Sequence, residues 1–368
     1  MQDTITVGKH VCPACAGDLQ WNAKEQALTC PYCGTIVPWS PSAESAPGDI
    51  VEHDLEAALS DPAVDRGWGE ERREVTCQAC QAVSIFVGSK VASRCDFCGS
   101  PAIIATEARS EAITPQSVLP FKISDGQVRD LIRKWYGSRW FAPDRLRRAA
   151  LTDTLHGVYI PYWTFDAHVD ARWSAEAGYH YYVTETYTNS QGQRATRQVQ
   201  HTRWEPASGK LAHFFDDELI AGSSGVHAGL MRQVEPFPTT EDLKPYSPEF
   251  VRGWTVERYQ VDLRQASTRN MESMQSQVRA FCANAVPGDT QRNLQVQAEY
   301  RGRTFKHVLV PIWLVSYTFG SRTFQIVANG FTGKLAGERP YSWIKITLAV
   351  IAALAALAIV ATALQHAN

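Results

Sequence analysis

Apolar residues are distributed along this chain in three distinct patterns. Before residue 107 they occur in short clusters, such as Leu19, Trp21 and Leu28, which predict small strands rather than a large core. Between residues 107 and 343 they recur with helical spacing in some stretches and at alternate positions in others. Residues 346–364 contain no charge. The pattern predicts small N-terminal modules, a mixed central domain and one apolar C-terminal helix.

Two stretches of the central region have the spacing of amphipathic helices. Residues 124–127, Ser-Asp-Gly-Gln, have the form of a capping box, and Val128 and Ile132 fall on one face of the helix that follows. A longer helix is predicted over residues 261–285. Its apolar face includes Cys282, which we interpret as a small buried hydrophobe because no basic neighbour would activate it as a nucleophile. Shorter helices are predicted over residues 51–59 and 144–150.

Alternating apolar residues predict an antiparallel sheet in the rest of the central region. Turns are predicted at residues 189–193 and 206–209, which are rich in Gly, Pro, Asn and Ser. The acidic residues 216–218 are interpreted as a solvated turn. The predicted strands are residues 157–165, 179–188, 194–204, 210–215, 293–300, 304–319 and 322–327.

One motif occurs twice in the central region. Residues 158–163, Val-Tyr-Ile-Pro-Tyr-Trp, match residues 308–313, Val-Leu-Val-Pro-Ile-Trp, and Pro161 and Pro311 are 150 positions apart. A predicted helix precedes each copy and a predicted hairpin follows it. We therefore predict an α+β domain of two related halves, each a helix plus an antiparallel meander. Because proline is rare inside strands, each Pro-x-Trp is expected to mark the start or a kink of its strand.

The apolar C-terminal run has the length of a transmembrane helix. Residues 346–364 would span about 29 Å at about 1.5 Å per residue, close to the thickness of the bilayer hydrocarbon core. Tyr341, Trp343 and Lys345 precede the run and suit the membrane interface. The alternative, a buried alanine-rich helix, would need a larger domain around it. We assign residues 344–364 to the transmembrane helix.

Basic residues indicate the orientation of this helix. Arg339 and Lys345 precede it, and no Lys or Arg follows it. The positive-inside tendency therefore leaves the bulk of the chain in the cytoplasm. Reduced cysteines favour the same compartment. The expected location is the cytoplasmic (inner) membrane, with a single C-terminal anchor.

Eight of the nine cysteines form two copies of one pattern. In each copy two CxxC pairs are separated by 14 residues, and glycine follows the second pair. Each CxxC pair offers two thiolates on one turn, and two such turns close a tetrahedral zinc site. We therefore predict two structural zinc ions. The predicted ligands are Cys12, Cys15, Cys30 and Cys33 for one ion and Cys77, Cys80, Cys95 and Cys98 for the other.

Other cysteine chemistries fit this pattern less well. Disulfides would need an oxidising compartment, and the N-terminal residues lack the pattern of a secretory signal. A thioredoxin-like dithiol has one CxxC rather than four in matched pairs. An iron–sulfur centre could use the same ligands, but its common sequence motifs are spaced differently.

The cysteine copies are 65 residues apart, which suggests duplication of one zinc ribbon. Aromatic residues fall mainly after residue 118, so we expect the core in the central domain and the ribbons to stand apart from it. The predicted divisions are residues 1–39 for the first ribbon, 40–72 for a linker with a short helix, 73–106 for the second ribbon, 107–343 for the α+β domain and 344–364 for the transmembrane helix.

The charge balance favours protein partners over nucleic acid. The chain has 36 basic and 38 acidic residues, a net charge of −2, and neither ribbon is convincingly basic. No P-loop, GxSxG or HExxH motif is found, so we expect no enzyme. The first hypothesis is an adaptor for protein partners at the membrane. The alternative is a membrane-tethered protein whose ribbons bind nucleic acid.

The chain resembles a bacterial family on several blocks. The residues that carry the likeness are the two ribbons and residues 118–122, 139–143, 157–166 and 329–342. The family comprises membrane-associated proteins whose zinc ribbons are labelled TFIIB-type or compared with the zinc-binding region of the primosomal helicase. No motor motif is found, so helicase activity is not implied. Some relatives resemble partners of SPFH-domain scaffolds and of the phage-shock protein A system, which implies a role in envelope stress.

Overall fold

The computed structural model describes residues 11–38, 50–61, 72–87, 93–106, 112–143, 155–223, 226, 228–319 and 322–366. The helix predicted over residues 144–150 lies outside them. The helices are α1 (Leu55–Ser60), α2 (Asp125–Gly137), α3 (Ala228–Val234), α4 (Pro248–Val251), α5 (Leu263–Ala285) and α6 (Trp343–His366). The strands are β1 (Gln20–Asn22), β2 (Ala27–Thr29), β3 (Ile36–Val37), β4 (His53–Asp54), β5 (Arg72–Cys77), β6 (Val83–Val87), β7 (Ile103–Thr106), β8 (Ser117–Val118), β9 (Leu155–Thr188), β10 (Arg194–Ala221), β11 (Lys244–Pro245), β12 (Thr255–Glu257), β13 (Thr290–Phe319), β14 (Arg322–Asn329) and β15 (Leu335–Gly337).

Three long strands form the centre of a mixed α+β fold. β9 pairs antiparallel with β13 on one side and with β10 on the other. Together with shorter strands they form a 12-stranded sheet, while β1, β2 and β3 form a separate three-stranded sheet. The predicted strands 157–165 and 179–188 are parts of β9, and 293–300 and 304–319 are parts of β13. The sequence therefore located the strands but divided them too finely.

The turn predicted at residues 206–209 is wrong, because β10 continues through it. Among the described strands β10 pairs with β9 alone, and an outer strand tolerates Pro206, which cannot donate a backbone hydrogen bond. Gly209 serves close packing instead. A Cβ at this residue would lie 2.5 Å from the ring of Trp173, so glycine lets the indole reach the backbone.

The two Pro-x-Trp motifs lie inside β9 and β13, with strand residues on both sides, so the prediction that they begin or kink their strands is wrong. The register between β9 and β13 is regular around both prolines. Beside each proline, one neighbouring strand ends and another begins. On β9, β12 pairs up to Tyr159 and β10 begins to pair at Tyr162, and Pro161 lies between them. A proline in such a gap leaves no ladder hydrogen bond unmade.

The predicted long helix and the capping box are confirmed. α5 covers residues 263–285 and buries Cys282 completely, as expected for a small hydrophobe. At the start of α2, the backbone N–H of Ser124 donates to Oε1 of Gln127 at 2.8 Å. The helix predicted over residues 51–59 is shorter, because residues 53 and 54 form β4 and α1 begins at Leu55.

The cysteine-bearing segments do not stand apart from the core. β6 pairs with β12, which pairs with β9, so β5, β6 and β7 extend the central sheet. Trp21 of β1 packs edge-on against Phe250 of α4, with ring centroids 4.8 Å apart. Burial of these two rings holds the first segment on the body of the protein, and strand pairing holds the second.

Candidate metal centres

The four CxxC turns share one backbone conformation. In each turn, the N–H of the residue after the second cysteine donates to the carbonyl of the first cysteine at 2.8–2.9 Å. That residue has a positive φ in all four turns: 58° at Ala16, 76° at Gly34, 62° at Gln81 and 73° at Gly99. The two glycines are suited to this conformation. Ala16 and Gln81 adopt it as well, which their residue types did not indicate.

The turns bring the eight predicted cysteines together in two groups of four. The groups are Cys12, Cys15, Cys30 and Cys33, and Cys77, Cys80, Cys95 and Cys98, and within each the sulfur atoms lie within 4.8 Å of one another. The closest pairs are 3.4–3.6 Å apart. A disulfide would need about 2.05 Å, whereas Zn–S bonds of about 2.3 Å give sulfur separations of about 3.8 Å in a tetrahedron. Both groups are therefore positioned to hold a metal ion.

Hydrogen bonds polarise the thiols within each group. The hydroxyl and backbone N–H of Thr35 lower the pKa of Cys33 to about 6. In the second group, contact with Cys80 lowers the pKa of Cys95 to about 5, and the same contact raises that of Cys80. These shifts favour loss of the thiol proton at Cys33 and Cys95. A bound cation would take the place of such protons and ionise its ligands.

Lowering the pH is expected to release metal from both groups, because protons compete with the metal for the thiolates. The full chain should hold two metal equivalents at pH 7 and lose most of both by about pH 4. A chromogenic chelator measures the release. Rebinding on return to pH 7 would separate protonation from irreversible unfolding. Full retention at about pH 4 would contradict ligation by thiolates.

The second metal group is fixed to the central sheet through the turn that bears Cys95. Phe97 is completely buried, and its carbonyl accepts hydrogen bonds from Ser316 and, at 3.0 Å, from Gln325. The neighbouring Asp96 accepts a hydrogen bond from Thr255 of β12. The conformation of this turn is therefore coupled to β12, β13 and β14.

The first metal group has a looser attachment. Gln26 donates through Nε2 to the carbonyl of Phe121 at 2.9 Å, and Arg252 lies 3.8 Å from the carboxylate of Asp18. Cys15 and Cys33 are exposed, whereas their counterparts Cys80 and Cys98 are half-buried. These contacts are made by the turn between β1 and β2 and by the segment before β1, and not by a residue inside a CxxC turn.

A buried cluster of charges escaped sequence analysis because its residues lie far apart in the chain. Lys306 lies 2.8 Å from Asp217 and 2.9 Å from Glu52, and Asp166 accepts a hydrogen bond from the backbone N–H of Asp217 at 2.7 Å. Burial raises the pKa of Asp166 to about 6. The interpretation of residues 216–218 as a solvated turn is wrong for Asp217, which is 7% exposed. The cluster holds the segment before α1 against β13.

Comparison with known proteins identifies one similar chain. An uncharacterized protein of Bacillus subtilis (strain 168), YdjG, is 26% identical over 340 residues, which cover 90% of each chain. The similarity therefore extends well beyond the cysteine ribbons, which occupy less than a third of the sequence. No family model matches the chain, and no solved structure matches it.

Proposed function

We propose that this protein is a membrane-anchored zinc-ribbon adaptor that recruits or assembles protein partners at the cytoplasmic membrane. The observation that carries the proposal is the free end of the β9–β10 hairpin. Pairing with β13 ends at Gly178, so residues 179–203 project as a hairpin tip. Both faces of the tip expose aromatic side chains, since Tyr181 is 49% and Tyr182 is 63% exposed.

The hairpin tip has the chemistry of a protein-binding surface. Tyrosine and arginine are enriched where proteins bind one another, and on this tip Tyr181 stacks on His201, with ring centroids 5.5 Å apart. Arg203 lies 5.7 Å from the ring of Tyr179. These pairings fix the aromatic rings before binding, which lowers the entropy cost of association. The open main-chain edges of the tip could also accept a partner strand.

In this proposal the two metal ions are structural zinc. Four sulfur ligands leave no open coordination position for a substrate or a water nucleophile. Tetrahedral sulfur sites take zinc or iron, and the eight predicted cysteines hold two zinc ions here. One ion then stabilises the edge of the central sheet and the other the separate three-stranded sheet, and the hairpin tip carries out recognition.

We infer that the central domain consists of two related halves. Pro161 and Pro311 each accept a hydrogen bond at 2.9 Å from a glycine N–H, of Gly222 and Gly330 respectively. Ile160 pairs with Val310, which is its own counterpart at the offset of 150 residues. A local two-fold axis that passes through this pair and relates β9 to β13 would give this register.

The tryptophans of the two motifs support the same inference. Trp163 donates its indole N–H to the carbonyl of Val261, just before α5, at 2.9 Å. Trp313 donates likewise to Ile123, just before α2, at 2.9 Å. Each strand therefore anchors the helix of the other half. We propose duplication of one helix-plus-meander unit as the origin of the domain.

The resemblance noted above suggests which partners the adaptor recruits. SPFH-domain scaffolds and phage-shock protein A act at the cytoplasmic membrane, which agrees with a chain held there by α6 with its bulk in the cytoplasm. We propose that the hairpin tip serves partners of this class during envelope stress.

Shortening the hairpin tip tests the adaptor function. Gly178 and Trp204 lie opposite each other, so an Asn-Gly turn can replace residues 179–203 and close the hairpin. Affinity capture from nuclease-treated membranes should lose the bound proteins of the wild-type chain, while two metal equivalents are retained. The matched control changes Thr184 and Thr186 to serine and leaves the tyrosines intact. An unchanged set of captured proteins after shortening would exclude the tip as the recruiting surface.

A further inference from the structure

A positively charged cavity lies at the start of α6. It has a volume of about 930 Å³, and three arginines from different parts of the chain line it: Arg139 after α2, Arg322 at the start of β14 and Arg339 after β15. One carboxylate, that of Glu338, also lines it. The fold therefore gathers a net positive charge at one place, although the chain as a whole has a net charge of −2.

Each of the three guanidinium groups lies over an aromatic ring, and within the described residues none of them forms an ion pair with a carboxylate. Arg139 lies 5.4 Å from the ring of Trp135, and Arg322 lies 5.5 Å from that of Phe324. Arg339 lies 5.4 Å from the ring of Tyr341. The buried Nε of Arg339 has no hydrogen-bond partner within the described part of the chain. A ring contact uses the face of a guanidinium and not its N–H groups, so among the described residues these N–H groups remain available to an oxyanion.

The cavity lies at the level of the expected membrane surface. The backbone N–H of Ser342 donates to the carbonyl of Phe141 at 2.8 Å, and Lys345 donates through Nζ to that of Ala142 at 3.0 Å. These bonds tie the first turn of α6 to the loop after α2. Trp343, which lines the cavity, and Trp140 are 81% and 70% exposed. Exposed tryptophans beside an apolar helix are typical of the membrane interface.

We infer that this cavity binds the phosphate of an anionic glycerophospholipid headgroup. The inference rests on the proposed membrane anchor, which places the cavity among headgroups. Guanidinium groups bind phosphate oxygens in a bidentate manner, and three of them favour a headgroup without its own cation. Choline or ethanolamine would bring an ammonium group towards the arginines and be repelled. The bound lipid would fix the body of the protein relative to the bilayer.

Lipid titration of the full chain in neutral detergent tests the site. Native mass spectrometry would measure the affinities of three proteins for phosphatidylglycerol and for phosphatidylcholine. The proteins are the wild type, the cavity variant Arg139→Gln/Arg322→Gln/Arg339→Gln and the tip variant Arg194→Gln/Arg197→Gln/Arg203→Gln. The second triple variant makes the same change of charge on the hairpin tip. Wild type should bind phosphatidylglycerol at least about tenfold more tightly than phosphatidylcholine. The cavity variant should bind phosphatidylglycerol about a hundredfold more weakly than wild type, because each cation near an anionic headgroup contributes about fivefold to the affinity. The tip variant should bind it as tightly as wild type.

Three results would overturn the inference. Equal binding of the two lipids would remove the headgroup preference, and equal losses in the two triple variants would indicate a general effect of charge. Glycerol 3-phosphate that binds as tightly as the lipid would assign the cavity to a soluble phosphate instead. The membrane anchor is tested separately, by extraction of membranes without detergent. A chain that is released in this way would contradict the anchor. The affinity of the cavity for lipid would still be measured in detergent, so the two results are independent.

Discussion

Replacing Cys95 with serine is expected to remove one of the two metal ions and to destabilise the whole central sheet. Cys95 is 4% exposed, and the turn that it begins carries the buried Phe97 and its contacts to β13 and β14. Without the metal, four buried or half-buried sulfur groups lose their common partner. Structural zinc sites contribute about 10 kcal/mol or more to folding in small fingers, so a loss of at least about 3 kcal/mol is expected in this larger domain.

Metal analysis and urea unfolding of the full chain measure this effect. Cys95→Ser should contain one metal equivalent and unfold at a clearly lower urea concentration. Cys282→Ser is the matched control, because Cys282 is buried in α5 outside both groups and its replacement should retain both ions. Cys33→Ser should lose one ion with a smaller loss of stability, since the first group makes fewer contacts with the sheet. Two retained ions in Cys95→Ser would refute the assignment of this ligand.

Two lysines in the middle of α6 are expected to release the protein from membranes. The helix has an apolar window from Trp343 to Val360 with a mean hydropathy of 2.4, and none of that window is buried within the protein. An exposed helix of this kind is suited to lipid. Each lysine at the centre of a transmembrane helix costs about 3 kcal/mol for insertion, so Ile351→Lys/Leu354→Lys should abolish integration.

Carbonate extraction of membranes tests this prediction. Wild type should stay in the pellet, and the double-lysine variant should move to the supernatant or be degraded. Thr184→Lys/Thr186→Lys adds the same charge to the hairpin tip and should stay in the pellet. Because α6 is exposed, the lysines should leave the metal content of the protein at two equivalents. Extraction of the wild-type chain by carbonate would rule out a transmembrane anchor.

The metal groups could be predicted from the sequence because their determinants are local. A CxxC pair fixes two sulfur atoms within one turn. The same short separation between the pairs that begin at Cys12 and Cys30 recurs in the second copy, and it indicates which two turns meet. The same holds for α5, whose apolar face follows from spacing alone, and for α6, which is apolar throughout. In each case a single short stretch of the chain contains the information.

The length of the strands could not be predicted in this way. Residues 206–209 have turn composition, yet β10 continues through them because the neighbouring β9 offers a continuous ladder of hydrogen bonds. Pro161 has a similar explanation, since its missing N–H matters only if a partner strand lies beside it. Whether a partner is present depends on residues more than fifty positions away, such as Ala221 and Thr255.

The sequence by itself determined which cysteines group to hold a metal ion, the long helices and the apolar helix, because short-range spacing encodes them. Only the tertiary structure decided that the ribbons join the core, that Asp166, Asp217 and Lys306 meet in the interior, and that Arg139, Arg322 and Arg339 line one cavity. These arrangements arise from long-range strand pairing and burial, which bring together residues that no local pattern relates. The candidate functions divide in the same way. The sequence indicates that the protein binds metal and has an apolar helix suited to a membrane, and the fold indicates which surfaces are available for binding.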